Sequence, residues 1–110
     1  MLTFQRLDVY RCAIDLLAFT TTITFPHKTA FVADQLRRAV LSIPLNIAEG
    51  AGRTGTADKA RHYAIARGSA MECAAIIDSV HVLGGLDDAE HQRALELIER
   101  LVAMLTRLCR

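Results

Sequence analysis

One helical seam changes character halfway along. Val32, Leu36, Ala39 and Ile43 step by three and four residues, as the buried stripe of an amphipathic helix does. The same stepping then continues through Asn46, Gly50 and Arg53. Ser42, Asn46, Glu49 and Arg53 also step by four, three and four, and so share a face that borders the core. Buried polar groups cost stability unless they are hydrogen-bonded. A helix of this kind therefore has to pack against a neighbour that supplies polar partners. Pro44 tightens the constraint, because it removes one backbone donor inside the helix.

The rest of the chain supplies such neighbours. Apolar residues recur at helical spacing throughout, and no stretch alternates like a half-buried strand. The spacing predicts four helices. The first covers about Leu7–Ile23. The second runs from near Lys28 to Ala51, after Phe25-Pro26, where proline suits a first turn. The third runs from about Ala57 to Leu83 and stops at Gly84-Gly85. The fourth starts at Asp87 or Asp88, with Glu90 placed as a capping-box partner, and continues to the C-terminus. Connections this short favour antiparallel neighbours. The expected fold is all-α, an antiparallel up-down-up-down four-helix bundle in one domain spanning 1–110.

The expected seams are Leu7, Tyr10, Ile14 and Leu17 on helix 1; Tyr63, Ala66, Ala70, Cys73, Ile77 and Val80 on helix 3; and Ala94, Ile98, Leu101, Leu105 and Leu108 on helix 4. Helix 3 is rich in alanine, which lets neighbours approach closely. Helix 1 carries more than a seam: Val9, Cys12, Leu16, Phe19 and Ile23 add apolar area on other faces, and its charges reduce to Asp8, Arg11 and Asp15. A helix apolar nearly all round is buried on several sides. A second subunit is the simplest cover, so the bundle is expected to be a homo-oligomer.

Polar partners for helix 2 are available on helix 3 as Arg67, Ser69 and Glu72. Two readings of the cluster Ser42, Asn46, Glu49, Arg53, Ser69 and Glu72 are open. In the first, Asn46 and Glu49 satisfy the backbone opened by Pro44, and the cluster binds helix 2 to helix 3. In the second, Glu49, Arg53 and Glu72 line a ligand or catalytic site. The first is preferred, because no activating histidine stands at a recognisable spacing.

Net charge is +1 over 110 residues, which gives no global electrostatic case for nucleic acid or an anionic membrane. The charge is uneven. Residues 28–67 hold seven basic and three acidic side chains, and residues 72–99 hold seven acidic and one basic. Arg37, Arg38, Arg53, Lys59 and Arg61 form the candidate nucleic-acid-binding patch. No aromatic residues interleave with them, so base stacking is not indicated. Arg93, Arg100 and Arg107 repeat every seven residues on helix 4, as a solvated or inter-subunit face or as a phosphate-contacting stripe.

Several motifs lack the context their chemistry needs. Gly50-Ala51-Gly52-Arg53-Thr54-Gly55 spells a dinucleotide fingerprint, but a helix precedes it where a strand is required. The glycines read instead as a helix end, although Arg53 and free backbone N–H groups there could hold an anion. A di-iron bundle site needs paired Glu-x-x-His motifs, and none is present. Asp78-Ser79-Val80-His81 is the nearest approach and stands alone. His27, His62 and His91 are assigned to polar surface or turns. No nucleophile motif is recognisable. Cys12, Cys73 and Cys109 have neither zinc-like spacing nor a disulfide framework and read as reduced, apolar helical positions. No catalytic residue, cofactor or metal is expected. Neither a signal-peptide pattern nor a membrane span is evident, and a cytoplasmic location is expected.

The residues just described resemble a four-helix-bundle family, the proteins encoded in intervening sequences of bacterial 23S ribosomal RNA genes. The likeness rests on Gln35-Leu36-Arg37-Arg38-Ala39, Ser42-Ile43-Pro44, and Asn46-Ile47-Ala48-Glu49-Gly50 with Gly52-Arg53. It extends to Ile65-Ala66-Arg67-Gly68-Ser69-Ala70 with Glu72, and to Leu7-Asp8-Val9-Tyr10 and Phe25-Pro26. The resemblance implies an antiparallel bundle that assembles into a ring-like homopentamer. Relatives include the accessory variability protein of diversity-generating retroelements, a basic pentamer that binds nucleic acid and a reverse transcriptase. This chain departs from that relative in being near neutral. Ala64, Cys73, Ala74 and Ala75 are also smaller than the bulky residues common in the family. No catalytic residues carry over. The expectation is a non-enzymatic scaffold or adaptor whose partners are its own copies together with RNA or DNA, or else a protein-binding ring with no nucleic-acid role.

Overall fold

The computed structural model describes residues 1–110. A short 3₁₀ turn, Thr3–Arg6, leads into four helices: α1 (Asp8–Thr20), α2 (Ala30–Gly52), α3 (Thr56–Val82) and α4 (Asp88–Leu108). No strand is present. Each helix packs against the one before it, and α1 also packs against α4.

Local chemistry sets the helix ends. α1 stops at a run of three threonines rather than reaching Ile23. Thr20, Thr21 and Thr22 donate their hydroxyls to the carbonyls of Leu17, Ala18 and Phe19 at 2.7 Å, which competes with helical pairing. α2 starts at Ala30 and not at Lys28, because Lys28 adopts a left-handed φ of 65° that no helix accommodates. Pro26 therefore sits in the turn before α2 rather than in its first turn, and its carbonyl accepts from the Thr29 hydroxyl. α3 ends in a Schellman motif. Gly84 has φ +87°, Gly85 N–H donates to Val80 O, and Gly84 N–H donates to His81 O. α4 begins with the expected capping box, in which Asp87 accepts from Glu90 N–H and Glu90 accepts from Asp87 N–H.

A single cluster of 20 buried residues forms the core. The α3 seam is buried as expected from Tyr63 through Val80, and so is the α4 seam from Ala94 through Leu105, although Leu108 is exposed. Helix 1 differs. Its buried side is Val9, Cys12, Ala13 and Leu16, while Leu7, Tyr10 and Leu17 are half-buried and Ile14 is 37% exposed. Both sides of α1 step at helical spacing, so periodicity alone could not say which faces inward. The richer side, with three residues at or below 2% exposure, takes the core.

Candidate interaction surface

The side chain of Asn46 does not replace the hydrogen bond that Pro44 removes. Asn46 Nδ2 donates to the Ser42 carbonyl at 2.9 Å and to Ser42 Oγ at 3.1 Å. It reaches back one helical turn, so it serves the Ser42 carbonyl and not that of Val40, the carbonyl that lacks a donor from Pro44. Glu49 does not serve it either. Instead it accepts from Arg53 at 3.0 Å on the exposed side of the helix.

The expected polar cluster thus divides in three. Ser42, Asn46 and Ser69 form a half-buried bridge between α2 and α3, with Ser69 Oγ donating to Ser42 Oγ at 2.9 Å. Glu49 and Arg53 lie outside it. Glu72 accepts from Gln35 near the other end of α2. Arg67 is not a helix 2 partner, because its Nε donates to Thr106 of α4 at 2.8 Å.

The bridge includes one residue that sequence reasoning placed on the surface. His62 is only 8% exposed. Its Nδ1 lies 3.2 Å from Asn46 Oδ1, and its Nε2 lies 3.2 Å from the Arg61 guanidinium. Arginine can only donate, so Nε2 accepts and Nδ1 carries the proton toward Asn46. The result is a directed chain, Arg61 to His62 to Asn46 to Ser42. The signal was available: His62 sits seven residues before Ser69 on the same side of the helix.

The candidate basic patch is largely neutralised within the protomer. Arg37 pairs with Asp34 at 2.9 Å, Arg53 with Glu49, and Arg61 with Asp58 at 3.1 Å. Arg53 also approaches Asp58 at 3.5 Å. The hydrogen bond from Arg61, with Arg53 nearby, holds the Asp58 carboxyl below its ordinary range. Lys59 Nζ donates to the carbonyls of Gly50 and Ala51, capping the C-terminus of α2. Arg38 alone of the five has no such partner. On α4, Arg93 lies over the Phe19 ring at 5.4 Å, while Arg100 and Arg107 line a cleft with Asp8, Arg11 and Asp15 of α1.

A second Asp-x-x-His motif, Asp88-Ala89-Glu90-His91, faces the first across the α3–α4 turn. His81 Nε2 meets Asp88 and His91 Nε2 meets Asp78, each at 2.8 Å, with the rings stacked at 4.0 Å. Asp78-Ser79-Val80-His81, expected to stand alone, is half of a reciprocal pair. Each ring donates across to the facing helix, and no three metal-binding side chains converge.

An outward apolar feature lies along α1 and α2. Phe4, Tyr10, Ile14 and Leu17 line a shallow groove with Leu41, Pro44, Leu45 and Ala48. Leu41 is 47% and Leu45 55% exposed. Soluble monomers rarely leave such side chains clustered at the surface.

These features define a small four-helix protein with a polar-laced α2–α3 contact and an uncovered apolar side. The chain matches the family described as 23S rRNA-intervening sequence protein over residues 5–107, and it belongs to that family. No curated protein matches it. No helix is long and apolar enough to cross a membrane.

Proposed function

We propose that this chain is a non-enzymatic homo-oligomeric scaffold or adaptor, an up-down-up-down bundle that closes into a ring through its apolar α1–α2 side. The observation that carries this reading is the cluster of exposed Ile14, Leu41 and Leu45 beside half-buried Tyr10 and Leu17. A bundle core does not need these residues, and a neighbouring subunit would cover them. Antiparallel α2 and α3 are supported by their cross-links. Gln35 meets Glu72, Ser42 meets Ser69, and Asn46 meets His62, so one number rises as the other falls. Five copies is the number that the family resemblance implies.

Protein–protein assembly is favoured over nucleic-acid association, because four of the five candidate cations already serve Asp34, Glu49, Asp58 or the end of α2. Light scattering on the full chain tests the assembly. A mass of several chains is expected, and a one-chain mass at high concentration overturns it. Anisotropy with a structured RNA and a DNA duplex tests the partner. Binding that falls steeply with salt would reinstate nucleic acid, and its absence at low salt leaves a protein-binding ring in the cytoplasm.

A further inference from the structure

α3 has an outward side to which its own protomer supplies one partner, Gln35 of α2 bonding Glu72. Ala64, Gly68, Glu72 and Ala75 follow one another along it, flanked by exposed Ile65 and Met71. Gly68 stands in mid-helix, where glycine is a poor helix former. A Cβ there would meet nothing within 4 Å, so no close neighbour inside the protomer requires the glycine. Gly50 on α2 is the opposite case, since its Cβ would lie 2.8 Å from the Tyr63 ring.

We propose that this side of α3 receives the outward side of α2 from a second copy, with the two helices antiparallel. This rests on the assembly reading above and names the surface that meets the apolar side. The outward side of α2 carries Arg38, Leu41, Leu45 and Glu49, all exposed. Arg38 precedes Glu49 by eleven residues, and Arg61 precedes Glu72 on α3 by the same eleven. On straight helices both intervals span about 16 Å. Antiparallel alignment sets Arg38 against Glu72 and Glu49 against Arg61. Parallel alignment would set arginine on arginine and glutamate on glutamate.

In the antiparallel register Leu41 comes within one residue of Gly68, and Leu45 comes level with Ile65 beside Ala64. The two large side chains then meet the part of α3 where the surface is lowest. Close helix approach over glycine and alanine is what such a surface permits. Arg38, which makes no ion pair in its own protomer, gains a carboxylate. Glu49 exchanges its Arg53 pair and Arg61 its Asp58 pair for partners across the contact, while the Arg61 bond to His62 and the Gln35 bond to Glu72 are shared with it. The two surfaces are different, so the contact is head-to-tail, and its closed form is a ring rather than a two-fold dimer.

The test uses two variants of the full chain, Leu45→Arg and Gly68→Arg, with helicity checked by circular dichroism and mass by light scattering. Both positions face outward, so the fold has room for either change. Each variant alone is expected to be monomeric. An equimolar mixture is expected to form a dimer and stop there, because one intact α2 side meets one intact α3 side. A Gly68→Arg protein that keeps the full assembly mass overturns this interface, and so does a mixture that stays monomeric. A one-chain mass for the unaltered protein instead removes the assembly reading itself. Charge reversal gives a second route. Arg38→Glu should weaken assembly at least tenfold, and adding Glu72→Arg should restore it; failure of the restoration overturns the proposed register.

Discussion

The inner and outer sides of α3 are built from similar residues and meet different fates. Inside, Tyr63, Ala66, Ala70, Cys73, Ile77 and Val80 are buried. Outside, Ala64, Gly68 and Ala75 lie between Ile65 and Met71 and are exposed. A helix with small and apolar residues on both sides has little amphipathic contrast, and such helices are ordinarily covered on both. What separates the two sides is the width of the inner stripe and the polar residues that edge it. Ser69 and His62 bond to α2, and Arg67 bonds to α4. Those edges fix which side turns inward.

The largest expected effect is in thiol chemistry, between Cys73 on the inner side of α3 and Cys109 just past the end of α4. Burial, with Glu72 adding to it, pushes the Cys73 thiol up to about 12, and burial also raises Cys12. Thiolate is the reactive form, so at pH 8 Cys73 should alkylate more than about a thousandfold slower than an exposed thiol. Half-buried Cys109 should label first. Peptide mapping after timed alkylation checks the order, and equal labelling of Cys73 and Cys109 in the native protein would break the contrast. Next in size is Ile77→Ala. Its side chain is fully buried, and truncation should cost about 2–5 kcal/mol in urea unfolding. The same truncation of Ile65 on the outer side should cost far less in a monomeric background.

The edge of the inner side gives the next effect. Asn46→Ala leaves the His62 Nδ1–H without its acceptor, at a cost of about 1–3 kcal/mol. A double-mutant cycle with His62→Ala should return a coupling of about 0.5–3 kcal/mol. Zero coupling would mean that the bridge contributes nothing to register.

Much of this was legible in the sequence, and the gaps have definite causes. The α3 and α4 seams could be read because their partners are continuous and their periods undisturbed. The capping box at Asp87 and the stop at Gly84-Gly85 follow from local chemistry that needs no tertiary context. The inward side of α1 could not be read, because Val9–Leu16 and Tyr10–Leu17 offer the same periodicity. The grouping of Ser42, Asn46, Glu49 and Arg53 failed because the helix ends before its last member. Steps of four, three and four keep one face, but α2 stops at Gly52, so Arg53 lies in extended backbone and draws Glu49 into an exposed pair while Asn46 still borders the core. His62 was missed because a histidine amid charged residues, Lys59 and Arg61, suggests surface. The reciprocal His81 and His91 pair was missed because its second motif lies across a turn.

Two glycines bring the comparison to a single methyl group. Gly50→Ala on α2 drives a carbon into the Tyr63 ring, 2.8 Å away on the inner side of α3. Tyr63 is buried and cannot swing aside freely, so the cost should be about 1–3 kcal/mol. Gly68→Ala adds the same carbon to open space in the middle of a helix. There alanine should stabilise the isolated protomer by about 1 kcal/mol. Urea unfolding in the non-assembling Leu45→Arg background measures that gain without a contribution from subunit contacts. The two signs should be opposite. If Gly68→Ala were destabilising in that background, the outer side of α3 would have a partner within its own protomer, and the glycine would no longer need a second copy to explain it.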